Sequence, residues 1–242
     1  MLTTALTNYQ LPITDYQLPI PYTQLPILFI SMNDFFLIKY GSEIIERSIE
    51  HLVLVIIAIG IATLIGIPLG ILITRNKGLR QPILGVANIL QTIPSLALLG
   101  LLIPVPIIGG IGPVPAIFSL ILYAFLPIIR NTYTGIMNVN PAIREAGRGM
   151  GMTDRELLFQ VEIPLALGVI LAGVRVAIVI GIGIATIAAA IGAGGLGVFI
   201  FRGIALVNNQ LILAGAVPAA LMALIADLGI GALERTLTKG KS

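Results

Sequence analysis

Two strings in this chain have the residue types that hold phosphate. Gly192-Ala193-Gly194-Gly195-Leu196-Gly197 satisfies G-x-G-x-x-G spacing, in which a tight turn after a β-strand presents backbone N–H groups to a pyrophosphate. A long apolar run precedes it here, with no βαβ pattern, so a flexible Gly-rich end of that run is the expected reading. Gly240-Lys241-Ser242 reads like the close of a P-loop, but position 235 holds Arg where the first Gly belongs. No Walker-type ATP site is expected.

Acid–base, nucleophilic and metal chemistry are equally thin. There is no cysteine, which removes disulfides, thiolate nucleophiles and iron–sulfur ligation and says nothing about compartment. The single histidine, His51, stands at the edge of an apolar run, where an interfacial position is expected rather than metal ligation. Catalytic residues, metal ligands and cofactor sites are therefore all expected to be none. Apolar segments hold almost no carboxylate, which argues against a proton-coupled carrier. Asp227, near the end of the last apolar segment, is expected to be solvated or paired with arginine. Arg175 interrupts another segment. Eleven residues past Pro164 puts it about 16 Å up a helix at 1.5 Å per residue. Buried there, it must be paired or face water, supporting a pathway or a coupling element; the alternative is a side chain that snorkels to the interface.

The polar segment 137–163 is built as a short helical hairpin. Asn140 is placed to cap a first helix with Pro141 at its first position, where a missing N–H costs nothing. Gly147, Gly149 and Gly151 are expected to break that helix and permit a turn. Thr153 with Glu156 three residues on makes a capping box for a second helix, which Pro164 is expected to end. A rigid polar element between apolar runs is suited to a partner.

The same residues carry a family resemblance. Glu145-Ala146-Gly147, Gly151 and Val161-Glu162-Ile163-Pro164 match in spacing the EAA loop of ABC-importer permeases, with Gly for the second Ala and Ile for the usual Leu before Pro. Gln91-Thr92-Ile93-Pro94-Ser95-Leu96-Ala97, Gly173-Val174-Arg175-Val176-Ala177 and Ile191-Gly192-Ala193-Gly194-Gly195-Leu196-Gly197 agree with one branch. Together they resemble a permease of the glycine betaine/carnitine/choline (osmoprotectant) type, from about residue 32 to the C-terminus. The resemblance implies an all-α, type I importer-like fold and the membrane-spanning subunit of an ATP-driven importer for a small osmoprotectant, proline among them. An alternative solute is another small amino-acid-like compound. It implies three partners: a separate ATPase at the cytoplasmic loop, a second permease subunit (same or homologous), and an extracytoplasmic solute-binding protein. Glu145, Ala146, Gly147, Gly151 and Pro164 would form the ATPase-coupling loop, Glu145 presenting charge, Gly151 the turn, and Pro164 setting the entry of the fourth span.

Composition requires a membrane around these residues. Hydrophobic residues make up 57% and charged ones 10%, against about 25% charged in soluble domains. No charge occurs between Arg80 and Arg130, enough for two spans of about 20 residues. The pattern predicts five spans, near 51–74, 81–103, 113–136, 164–190 and 211–232, preceded by an interfacial helix over 32–50. The third is marginal, since its apolar run stops at Arg130. Five spans put ten Lys/Arg on the side of the 75–80 loop, the hairpin and the C-terminal tail, and only Lys39, Arg47 and Arg202 opposite. By the positive-inside rule the N-terminus is then outside and the C-terminus cytoplasmic. With a net charge of +3 and its basic residues in loops, orientation in the bilayer accounts for the charge, and no nucleic-acid partner is expected.

Residues 1–31 read as a low-complexity tail, with Gln10-Leu11-Pro12-Ile13, Gln17-Leu18-Pro19-Ile20 and Gln24-Leu25-Pro26-Ile27 too rich in proline for a coiled coil and expected to be disordered. The permease domain is expected over 32–242, with Met32 a candidate start of translation. Two rivals are an ATP-independent secondary carrier or channel and a structural membrane scaffold. Few embedded charges and a polar hairpin of this shape argue against the first, and the second leaves the hairpin unexplained.

Overall fold

Proline and a few polar residues decide where the helices of this chain start, bend and stop. In a computed structural model, the backbone is described for residues 25–238 and side chains for residues 40–237. The chain divides after Lys39 into two units, and the features below belong to the second. The tail expected at 1–31 lies outside the described residues as far as Gln24. The described elements are helices: α1 (Leu25–Arg75), α2 (Lys77–Thr92), α3 (Ser95–Leu102), α4 (Pro113–Met137), α5 (Pro141–Gly149), α6 (Asp154–Leu157), α7 (Ile163–Ala188), α8 (Gly197–Ala205) and α9 (Asn209–Thr238). A π-helical turn at Leu158–Glu162 joins α6 to α7.

Four stretches are long and apolar enough to cross a membrane: Tyr40–Arg75, Pro113–Met137, Asp154–Ile191 and Asn209–Leu237. The bent pair α2–α3 makes a fifth if counted as one. Several boundaries differ from those the sequence suggested. Of the separate interfacial helix expected over 32–50, residues 40–50 belong to the first crossing stretch, Tyr40–Arg75. The second crossing is not one helix: α2 and α3 meet at 100°. Pro94 is the cause, because the residue before a proline is driven to extended geometry, and Ile93 sits at φ −68°, ψ 128°. The carbonyl so freed accepts from the Tyr123 hydroxyl. Arg130 does not end the third crossing, since α4 continues to Met137 while the guanidinium donates to Asn88 Oδ1 at 2.8 Å.

At the centre α4 packs on α7, and α7 on α9. Leu120, Ala124 and Ile128 of α4, Ala177 and Ala185 of α7, and Ala58 and Ala62 of α1 fill the core. Lipid tails are as apolar as the helices, so close backbone approach over small residues is what holds such a bundle. A Cβ on Gly173 would lie 2.6 Å from Asn131 Cβ and 2.8 Å from the Pro127 carbonyl. Large apolar side chains on the outer faces of α1 and α9, such as Ile56, Leu64 and Ile225, are mostly exposed, as residues that meet lipid must be.

Contacts fix which loops share an end of the bundle. At one end the Gly112 N–H donates to the Ile191 carbonyl at 2.8 Å and the Gly195 N–H to Glu50 at 2.9 Å. At the other, Arg75 reaches Glu162, and Lys77 and Arg80 line a cavity with Tyr133 and Met137. The 75–80 loop and the 137–163 hairpin therefore lie together, opposite the glycine-rich turn.

Candidate coupling site

The hairpin is assembled from its caps. Asn140 leaves helical geometry at ψ 122° and its side-chain oxygen accepts from the Ala142 N–H at 3.0 Å, with Pro141 opening α5. The Glu156 N–H donates to the Thr153 hydroxyl at 3.3 Å while the Thr153 N–H donates to the Glu156 carboxylate at 2.8 Å, so the capping box forms. Of the three glycines expected to break the first helix, only Gly151 does so, at φ +86°. Gly147 and Gly149 are residues of α5. Gly147 is a contact point instead: a Cβ there would stand 2.8 Å from Leu157 Cδ1, and Leu157 is fully buried. That contact closes α5 onto α6.

What the hairpin shows outward is mixed. Glu145 and Ala146 are exposed, and Glu145 forms no ion pair among the described residues. Ile143 and Met150 are exposed apolar side chains beside them. Arg148 and Asp154 approach to 3.7 Å across the turn, a solvent-screened pair worth at most about 1 kcal/mol.

The fourth crossing begins inside the hairpin. Pro164 was expected to end the second hairpin helix, but the helix runs on through it, unbroken over Asp154–Ile191. Proline removes one donor and crowds the carbonyl four residues back. The backbone accommodates this by winding Leu158–Glu162 wider, with the Ile163 N–H reaching the Leu158 carbonyl. Such π-turns occur mostly as single insertions in α-helices, often at functional sites.

At that turn lies a residue that sequence reasoning passed over. Glu162 is buried, with 1% of its side chain exposed, and pairs with both Arg75 and Arg144. Arg144 also donates to the Ile136 carbonyl at the end of α4. One carboxylate thus ties the hairpin to the ends of α1, α4 and α7. Removing both arginines would leave this buried charge uncompensated, at a cost of about 3–5 kcal/mol. In the sequence Glu162 is merely the variable position before Ile163-Pro164. An acid between Val161 and Ile163 in an arginine-rich stretch was the available signal, but Arg75 is 87 residues away and spacing cannot name it.

The remaining candidates separate from the hairpin. Arg175 pairs with α9, with Asp227 at 3.4 Å and Glu234 at 3.5 Å. Asp227 is thus arginine-paired, one of the two positions expected for it, and none of these ion pairs reaches the hairpin. His51 is buried within the protein. Its Nε2 lies 3.1 Å from the Ile182 carbonyl, so that nitrogen donates and Nδ1 accepts from the Leu196 N–H at 3.4 Å. The 192–197 turn is tied to α1 by two hydrogen bonds. Glu50 and His51 occupy the N–H groups of Gly195 and Leu196, the groups a phosphate would require.

Comparison with known proteins decides the family. The family described as "Binding-protein-dependent transport system inner membrane component" matches residues 66–239. The chain belongs to this family of membrane permeases. It is 46% identical to the osmoprotectant import permease protein OsmW of Salmonella typhimurium, over 84% of this chain and 95% of that protein. It is 48% identical to the glycine betaine/carnitine/choline transport system permease protein OpuCD of Bacillus subtilis, over 82% of this chain and 86% of that one. An inward-facing structure of the MetNI methionine ABC transporter superposes with a TM-score of 0.74 at 24% identity, covering 83% of this chain and 99% of that one. The fold is that of a type I ABC-importer permease, and this family member is a multi-pass membrane transport subunit.

Proposed function

We propose that this permease imports a small osmoprotectant such as glycine betaine, choline or carnitine, driven by ATP hydrolysed on a separate ATPase that docks on the 137–163 hairpin. The observation that carries the coupling reading is the hairpin itself. It is capped at both helix starts, exposes the unpaired Glu145, and continues without a break into the fourth crossing. A push on such an element moves α7 as a rigid body. Gly151 provides the turn and Gly147 the closure, while Ala146 keeps the docking face small. Pro164 shapes the entry of α7 through the π-turn rather than by ending a helix. The solute class is supported by the relatives named above, two of which carry osmoprotectants or glycine betaine, carnitine and choline in their names.

A second permease subunit and an extracytoplasmic binding protein complete the assembly. Reliance on a binding protein is supported by what the aromatic side chains are doing. Cages for quaternary ammonium need open ring faces, with Trp the strongest, and this chain has no Trp. The Tyr123 hydroxyl is committed to Ile93, Arg80 stands 4.7 Å over the Tyr133 ring, and Phe199 is buried edge-on to Tyr40. Arg175, balanced by Asp227 and Glu234, is assigned to holding α7 on α9 beside the pathway. The N-terminus is outside and the hairpin cytoplasmic, on the charge asymmetry of the loops. Co-purification of the ATPase with the permease, together with ATP-dependent uptake of radiolabelled glycine betaine, choline or carnitine in vesicles, tests the whole. Uptake without ATP, or no ATPase association, would overturn it.

A further inference from the structure

Four polar or charged residues are fully buried among the described residues, namely His51, Ser119, Thr132 and Glu162, and Glu162 is the acid. We propose that Glu162 is a positioning residue for coupling, the pin through which displacement of the hairpin reaches the membrane helices. The inference deepens the coupling reading above and rests on it.

Three observations support it. The cluster joins four elements at one point: Glu162 at the head of α7, Arg144 from α5, Arg75 from the end of α1, and the end of α4 through the Arg144 bond to Ile136. Its location separates the two parts that must move together, since the π-turn lies between the hairpin's α6 and the transmembrane α7. A local widening there, unbraced, would let α6 swing while α7 stayed behind. A buried carboxylate hydrogen-bonded to Arg75 and ion-paired with Arg144 at 3.2 Å resists that slip, because a charge-assisted hydrogen bond is directional while apolar contacts slide. Finally, two cations share one anion. Moving Arg144 with the hairpin alters the field on Glu162 and therefore its hold on Arg75, which gives α1 a share in the motion.

A merely structural cluster affects how much permease is inserted. A coupling pin affects how much solute enters per ATP hydrolysed. The test uses the full transporter, with ATPase and binding protein, in proteoliposomes loaded with ATP. Uptake of radiolabelled glycine betaine, choline and carnitine is measured beside phosphate release, and ATPase co-purification is scored separately. Glu162→Gln and Arg75→Ala are expected to keep the ATPase bound and hydrolysing while solute per ATP falls about tenfold, within the range seen for residues along a coupling element. Arg75→Lys, which keeps the charge, is expected to recover most of the ratio. An unchanged ratio in Glu162→Gln and Arg75→Ala overturns the proposal. So does loss of ATPase binding in both, which makes the cluster a support for the docking face only. Should Glu162→Gln fail to accumulate, Arg75→Ala decides alone, since it leaves Glu162 paired with Arg144. A wild-type permease that binds no ATPase sinks the coupling reading itself, a result distinct from either.

Discussion

Gly151 and Glu145 both belong to the hairpin but are constrained in different ways, and their variants should fail differently. A Cβ at Gly151 meets no neighbour within 4 Å, so only the dihedral resists substitution. At φ +86° an L side chain costs about 1–3 kcal/mol of backbone strain. Gly151→Leu is therefore expected to insert normally but to misdirect α6, lowering both transport and ATPase stimulation. Glu145→Lys leaves the backbone untouched and reverses the charge offered to the ATPase. It should weaken ATPase co-purification with no change in thermal stability of the isolated permease. Wild-type transport and ATPase stimulation in either variant would remove that residue from the coupling role.

Among the elements, α6 is the most dependent on its cap. It has four residues before the π-turn, too few to be stable on helix propensity alone. Thr153→Ala deletes the side-chain half of the capping box at a cost of about 1 kcal/mol. Amide exchange over 153–157 should accelerate while that of α7 stays as it was. Equal protection in the variant would mean that packing of Leu157 against Gly147, rather than the cap, holds α6. The bent pair α2–α3 depends on Pro94 in the same local way, and its angle was invisible to hydropathy because both arms are apolar.

At the scale of the whole molecule, the proposed orientation rests on how charges divide between the two ends of the bundle. The loop of Arg75, Lys77 and Arg80 shares one end with the hairpin, while at the other end Arg47 and Arg202 are each paired with a glutamate. With no native cysteine, accessibility can be read by single Cys substitutions in intact cells. A membrane-impermeant maleimide is expected to label Ile111→Cys, a position 79% exposed, and to spare Asn76→Cys and Thr153→Cys. External labelling of Asn76→Cys would invert the topology. The proposed reliance on a binding protein is tested at the same scale. Isothermal titration of the purified permease with betaine, choline or carnitine should show no micromolar binding; tight binding by this subunit alone would place the specificity site within the membrane.

Sequence by itself determined what depends on neighbours in the chain. The Asn140 cap, the Thr153–Glu156 capping box and the Gly151 turn are local hydrogen bonds and dihedrals, and all three stand where spacing put them. Membrane class and approximate spans were equally legible, since an apolar run long enough to cross the bilayer needs no partner to be recognised. Only the tertiary structure decided what depends on residues far apart. It paired Glu162 with Arg75, buried His51 between α7 and the glycine-rich turn, and set Arg175 against Asp227. It also reassigned Gly147 from helix breaker to contact point and carried α7 through Pro164. In each case the residue type allowed several environments, and the packing of a distant helix selected one.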